Sequence, residues 1–437
     1  MVAWTLGVGA VLVLGAAGVG AWIYHDLDNN IHTARLDDKL GEDRPENLSP
    51  GSRNILVVGS DSRDGANSKY GGMEGDTMHS DTLMVLHIAA NRKWATVVSL
   101  PRDSWVRIPA CDKGDGSKSA THHFKINEAF TIGGTGGDVA GAAACTIKTV
   151  EANTHLRIDN FMSVDFQGFK GMVNALDGIE VCPKEAIHDK KAHLDLEAGC
   201  QTIRDEKALG YVRARYSVGD GSDTGRIGRQ QEFMQALAEK AKAKITSPGA
   251  LYDLLQSVTK SLTTDEELDG IKPLSSLASQ IKGIPKDHLT FLTVPNYPRE
   301  ADVATDKANV SWQYPQAADV FTALAKDKEI GKKRVEADAK NLIYASSVRV
   351  RVLNGSGTEG KAAAVAARLR EAGFTVTATG NAPHAARTTV SYPADLAERA
   401  AVLSSQVPGA RSKADASAPA GEVTLVVGSD LKVDDLR

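Results

Sequence analysis

Short apolar runs separated by polar, turn-rich stretches dominate the first three hundred positions of the chain. NILVVGS (54–60), TLMVLHIA (82–89) and ATVVSLP (95–101) are continuous runs of strand length, and AANRK between the last two has turn composition. Such runs fit strands buried within a sheet. A segment rich in small apolar residues, Val139–Asn153, reads as a helix. FMSVDFQGFKGMVNALDGIEV (161–181) reads as strand, helix, strand, and EKALGYVRAR (206–215) as helical. GRQQEFMQALAEKAKAKI (228–245) is amphipathic, with Phe233, Leu237 and Ala241 on one face and Lys and Glu on the other. A helical stretch after Pro248, a strand in HLTFLTVP (288–295) and a short helix near Tyr314–Lys326 close this body. Strands mixed with helices predict an α/β protein in α-β-α layers.

A second period begins near residue 347. VRVRVLN alternates like a strand, and KAAAVAARLREAGF is helical up to Gly373. TVTATG, TTVSY, a helix at Asp395–Ser405 and EVTLVVG complete a small α/β domain over 347–430. The charged, unpatterned stretch 329–346 separates it from the main body at 51–328 and reads as a linker. No internal repeat is visible.

At the other end, Val2–Tyr24 is an uncharged apolar run, and 25–50 is polar and reads as an extracytoplasmic tether or a loose first helix. Crossing a bilayer takes about 20 apolar residues, whereas a cleaved signal has an apolar stretch of about 7–15. Residues 2–24 are therefore expected to be a retained transmembrane helix, with Trp4, Trp22 and Tyr24 near the interfaces. Only the α-amino group precedes the run, so the charge signal for orientation is weak.

The four cysteines, at 111, 145, 182 and 200, all follow that run, and none forms a C-x-x-C pair. This excludes the usual zinc and thiol-redox spacings and favours disulfides outside the cytoplasm. Cys182 and Cys200 bracket the polar excursion PKEAIHDKKAHLDLEAG and are expected to pair, leaving Cys111–Cys145. Four buried thiols are the alternative. The chain of 437 residues is long enough for two or three domains, and its net charge of −4 offers no field for nucleic acid. Any anion site is local.

Three segments carry candidate chemistry. YVRARYSVGDGSDTGRIGRQQ places Arg213 and Arg215 before an acidic, Gly-rich loop and Arg226 and Arg229 after it. Converging guanidiniums bind phosphate oxygens in bidentate fashion, although a run of charges is as often a solvated surface. SLPRDSWVRIP puts Arg102 and Asp103 at the end of a buried strand, where they are either site residues or a surface ion pair. Asp61 and Asp81 flank apolar strands and suit Mg²⁺, which takes one or two carboxylates and completes its shell with phosphate and water. Turn-forming Asp beside Gly and Ser is the plainer reading of both. The histidines are scattered, and His122 and His123, being adjacent, do not easily face one metal.

NILVVGSDSRDG, SDTLMVLHI, VVSLPRDSWVRIP, KINEAFTIGG, IDNFMSVDFQGFKGMVNALDGIEVC and ALGYVRARYSVGDGSDTGRIGRQQEF follow one another in order between Arg53 and Pro298. Together they resemble the LytR–CpsA–Psr family of cell-wall glycopolymer ligases. The resemblance implies a central mixed sheet, an apolar pocket for a polyprenyl tail, and a single N-terminal span in the membrane. It implies Mg²⁺ on Asp61 and Asp81, and pyrophosphate contacts from Arg102, Arg213, Arg215 and Arg226 with Gln230 nearby. The reaction implied is a phosphotransfer from a polyprenyl-pyrophosphate glycan donor to peptidoglycan, the glycan being teichoic acid, capsule or arabinogalactan. Asp103 is the candidate base for the acceptor hydroxyl, an assignment the sequence does not decide. One departure is the longer Gly-rich loop NSKYGGMEGDTMH, which separates Asp61 from Asp81 by twenty residues and makes Asp64 and Asp76 rival ligands. A pyrophosphatase acting on the same donor and a non-catalytic wall-binding scaffold are the competing functions.

The C-terminal unit resembles the LytR C-terminal domain. Its Gly355, Gly357 and Gly360 have the G-x-G-x-x-G spacing between a strand and a helix, but the following strand lacks the acidic residue that takes a ribose hydroxyl. A tight strand-to-helix turn is the expectation.

Overall fold

The computed structural model describes residues 25–60, 78–214, 223–244, 248–260 and 262–437. The 2–24 run, Asp61, Asp64, Asp76 and Arg215 lie outside the described residues. Among the described residues, no helix is long and apolar enough to cross a membrane.

Seven strands form the central sheet: β1 (His32–Thr33), β2 (Arg53–Ser60), β3 (Ser80–Ile88), β4 (Ala95–Leu100), β5 (Asn160–Val164), β6 (Leu262–Thr264) and β7 (Leu289–Thr293). Their order is β1-β6-β5-β2-β3-β4-β7. β2 runs parallel to β5 and antiparallel to β3, and β4 runs antiparallel to β3 and parallel to β7, so the sheet is mixed. The continuous apolar runs are explained by burial on both faces. Leu56, Val58, Leu83 and Val85 enter the main core with helix α1 (Val139–Thr154), while Ile55 and Ile88 face a second cluster.

Around the sheet stand α2 (Phe166–Ala175), α3 (Asp205–Arg213), α4 (Asp223–Lys244), α5 (Pro248–Thr259) and α6 (Ile271–Lys282). Asp165 starts α2 by accepting a hydrogen bond from Gly168 N at 2.7 Å, the usual device for an orphan helix N–H. On α4, Phe233 is fully buried with Leu237 and Ala241 packed beside it, as the amphipathic pattern requires. α6 presents Leu274, Leu277 and Ile281 to Ile55 and Ile88. Both expected disulfides are present, Cys111–Cys145 and Cys182–Cys200. The first lies where the short helix Glu128–Gly133 meets α1. A Cβ on Gly133 would stand 2.1 Å from Gly141 O, so only glycine permits this approach.

Two segments expected to be loose are folded. In 25–50, Leu27, Ile31, Ala34 and Leu36 are buried, β1 joins the sheet edge, and Arg44 forks onto the buried Glu151. In 329–346, the helix α8 (Lys332–Asp338) follows α7 (Gln316–Ala325) and buries Val335, while Gln313 Nε2 donates to Ala339 O at 2.9 Å. Sparse apolar residues at helical spacing are sufficient for docking once a core surface is available, even where charge dominates composition.

The C-terminal domain has five strands, β8 (Arg349–Asn354), β9 (Thr375–Asn381), β10 (Thr389–Tyr392), β11 (Arg411–Ala414) and β12 (Val423–Val427), in the order β9-β8-β12-β10-β11. Helices α9 (Lys361–Glu371) and α10 (Ala397–Gln406) supply its core with Val365, Leu369, Val402 and Leu403. The Gly-rich turn behaves as a turn. Gly357 and Gly360 have φ of 78° and 75°, and Asn354 Oδ1 accepts from Ser356 N at 3.1 Å.

Candidate functional site

The C-terminal ends of β2, β4 and β5 and the start of β3 lie at one edge of the sheet. Strand ends present backbone and side chains that the sheet itself does not use, and a cavity of about 260 Å³ opens there. Its floor is formed by Val57 and Gly59 of β2 and Thr82 and Met84 of β3. Phe166, Phe169 and Met172 of α2, Leu209 and Val212 of α3 and Met234 of α4 supply an apolar wall. Asp81, Arg102, Arg213, Arg226 and Gln230 line the same cavity.

Each polar group is positioned by its element. Gly59 pairs with Thr82 but Ser60 pairs with Ser80, so Asp81 is the extra residue of a β-bulge. A bulge re-aims a side chain that strand alternation would otherwise set. Arg102 follows β4 and its Nη1 donates to the Asp81 carboxylate. Arg226 of α4 is buried, and its Nη2 donates to Asp81 O at 3.3 Å. Arg213 ends α3, with its Cζ 4.7 Å from the centroid of the Phe166 ring. Gln230 Nε2 donates to Thr82 Oγ1 at 3.2 Å and to Val212 O at 3.0 Å, tying α4 to both β3 and α3. Arg229 does not line the cavity. It donates to Ala214 O just beyond α3, and burial lowers its pKa.

Asp103 departs from expectation. It is 3% exposed and does not line the cavity, and its Oδ1 accepts from Lys125 Nζ at 2.7 Å. Oδ1 also lies 3.9 Å from Arg102 Nε, so Asp103 stands behind that guanidinium and outside the cavity, and proximity in sequence to the site did not mean access to it. A carboxylate engaged by an ammonium in this way holds the loop rather than meeting an acceptor.

Asp165, which stands in one of the six motifs, joins the cavity wall with two residues that had no motif to announce them, Asp189 and Lys191. The last two belong to the polar excursion, which folds as a hairpin of Ile187–Asp189 with Leu194–Leu196. Asp189 Oδ1 accepts from Lys191 N and Ala192 N, both at 3.0 Å, and closes the turn. The alternating apolar residues Ile187, Leu194 and Leu196 were the available signal, masked by the charges between them.

An apolar wall with guanidiniums along one side is suited to an amphiphile with an anionic head. Comparison with known proteins agrees in family. Residues 23–327 match the LytR_cpsA_psr family. The chain belongs to the LytR–CpsA–Psr family. Residues 347–431 match the domain described as LytR cell envelope-related transcriptional attenuator. Cell wall biosynthesis protein LcpA of Corynebacterium glutamicum is 29% identical over 402 residues, covering 85% of this chain and 75% of that protein. Polyisoprenyl-teichoic acid–peptidoglycan teichoic acid transferase TagT of Bacillus subtilis is 29% identical over 65% of this chain and 83% of its own. Among solved structures, a LytR-Csp2A-Psr enzyme from Actinomyces oris superposes with a TM-score of 0.50 at 20% identity, over 68% of this chain and 96% of that one, a likeness of fold.

Mg²⁺ fits what is described of the site. Asp81 brings a carboxylate into the cavity beside the arginines, and β2 ends at Ser60, one residue before Asp61. Among the described residues there is no group of three or more His, Cys, Asp or Glu that could hold a metal by itself.

Proposed function

We propose that this LytR–CpsA–Psr protein transfers a glycan phosphate from a polyprenyl-pyrophosphate donor to peptidoglycan in cell-wall assembly. The observation that carries the reading is the single cavity joining an apolar wall to Arg102, Arg213 and Arg226. The relatives named as teichoic acid transferases support it. The polyprenyl chain lies along Phe166, Phe169, Met172 and Met234, and the pyrophosphate meets the guanidiniums. A hydroxyl of the wall glycan attacks the phosphorus on the sugar side. The bond from that phosphorus to the bridging oxygen breaks, polyprenyl phosphate leaves as an anion, and the hydroxyl proton is released. The leaving group is already a stable anion, so catalysis rests on charge neutralisation and alignment. Arg102 and Arg226, both bonded to Asp81, are held in place before substrate arrives. Asp81, with Asp61, would hold Mg²⁺, which supplies further positive charge to the phosphates when bound.

The same reading places the chain on the outer side of the cell membrane, anchored by residues 2–24. Its support is the length of that run and the two disulfides, which persist in oxidising compartments. The test is an assay of the full chain with a lipid-linked glycan donor, with and without peptidoglycan. Polyprenyl phosphate released only with the acceptor, and glycan appearing on the wall, is the expected result. Equal release without acceptor assigns the pyrophosphatase reaction instead.

A further inference from the structure

The loop that carries Arg102 continues into the surface on which the C-terminal domain rests. In SLPRDSW, Ser104 Oγ accepts from Trp312 Nε1 at 2.9 Å, and Asp103 O accepts from Val310 N at 3.0 Å. Both partners belong to one strand of the hairpin formed by Asn296–Pro298 and Val310–Trp312. Between those strands, Arg299 is 4% exposed and its Cζ lies 4.5 Å from the ring centroid of Trp105. Its Nε donates to Asp306 Oδ2 at 2.8 Å, and its Nη2 donates to Glu371 O, the last carbonyl of α9 in the C-terminal domain. A guanidinium near a helix C-terminus also meets the negative end of the helix dipole. Asp302, three residues on, accepts from Ser346 N at 2.8 Å, and a Cβ on Gly373 would stand 2.6 Å from Asp302 Cβ. The two domains are therefore in close register around Arg299.

We propose that the C-terminal domain is a working part of the anion site, setting the position of Arg102 through Arg299 and Trp105. This rests on the reading of Arg102 as a pyrophosphate contact. Arg299 does not line the anion cavity and acts as a positioning residue. The buried fork has three fixed partners: the Trp105 ring, the Asp306 carboxylate and the α9 terminus. Trp105 is three residues from Arg102, and the intervening Asp103 and Ser104 are pinned by Val310 and Trp312. A rigid path of this kind transmits a displacement of the domain to the guanidinium.

The experiment is calorimetric titration of the full chain with inorganic pyrophosphate. Arg299→Ala is expected to weaken binding about fivefold or more, within the range of couplings between neighbouring residues. Arg299→Lys, which keeps a cation over the ring and loses the fork, is expected to fall between that variant and wild type, and secures the test if Arg299→Ala does not fold. In the Arg102→Ala background the Arg299 substitutions are expected to add nothing, an outcome that a general loss of stability does not produce. Wild-type affinity in the Arg299 variants overturns the proposal, as does a loss that adds in full to that of Arg102→Ala. Wild-type affinity in Arg102→Ala overturns the underlying site reading, and the proposal with it.

Discussion

Arg213→Ala separates the chemistry of the cavity from the stability of the fold. Arg213 is the last residue of α3, lines the cavity and stacks on Phe166. In the fold it contributes little beyond a favourable charge at a helix C-terminus, ~0.3–1 kcal/mol, and a ring contact of similar size. Thermal unfolding is therefore expected to shift by only a few degrees, about 2–4 °C per kcal/mol for a domain of this size. A charge-assisted bond to the donor pyrophosphate is worth ~1.5–3 kcal/mol, which is about 10- to 150-fold in transfer. Arg213→Lys restores the charge but not the planar fork and is expected to recover only part of the rate. The assay is initial velocity on a lipid-linked donor with peptidoglycan, with kcat and KM measured separately, alongside a melting curve. Transfer within twofold of wild type, with the melting point unchanged, refutes the placing of the pyrophosphate against α3.

Other outcomes follow from the same structure. Replacing Cys111 and Cys145 by Ala removes a bridge closing 34 residues and is expected to cost about 4 kcal/mol in urea unfolding. Cys182 and Cys200 are exposed, close only 18 residues, and are expected to cost less and to be reduced first by a mild thiol; peptide mapping of the partly reduced protein checks the order. Asp81→Asn is expected to abolish Mg²⁺-dependent transfer while Asp76→Asn retains most of it, read as turnover against Mg²⁺ concentration; the reverse result assigns the metal to the Gly-rich loop. Burial depresses the pKa of His123, beside the C-terminal domain, from 6.5 to about 4. The unfolded chain then takes up a proton below pH 6.5 that the folded chain refuses. Stability is expected to fall by ~1–3 kcal/mol as pH drops from 6.5 to 4, and His123→Phe to flatten part of that slope in urea titrations at pH 7 and 5. An unchanged slope in the variant rules out His123 as the source.

Strand and helix existence was legible because local period determines it. The runs at 54–60, 82–89 and 95–101 became β2, β3 and β4, being short and rich in β-branched residues, and the amphipathic pattern 228–245 lies almost wholly within α4. The cysteine pairing was readable from the bracketed excursion, and Arg102, Arg213 and Arg226, singled out by the six ordered motifs, meet along one cavity. Direction was decided by the tertiary structure. A bulge turns Asp81 into the cavity, while the turn after β4 sends Arg102 inward and Asp103 to Lys125, although the two are neighbours in sequence. Asp189 and Lys191 reach the cavity only because a charged excursion folds as a hairpin over it. Segments 25–50 and 329–346 are polar enough to stand free, yet they dock through a few buried residues, because the surface receiving them exists only after the sheet has formed. The contact of Arg299 with Trp105 and the end of α9 joins positions far apart in the chain, and no local pattern encodes such a meeting.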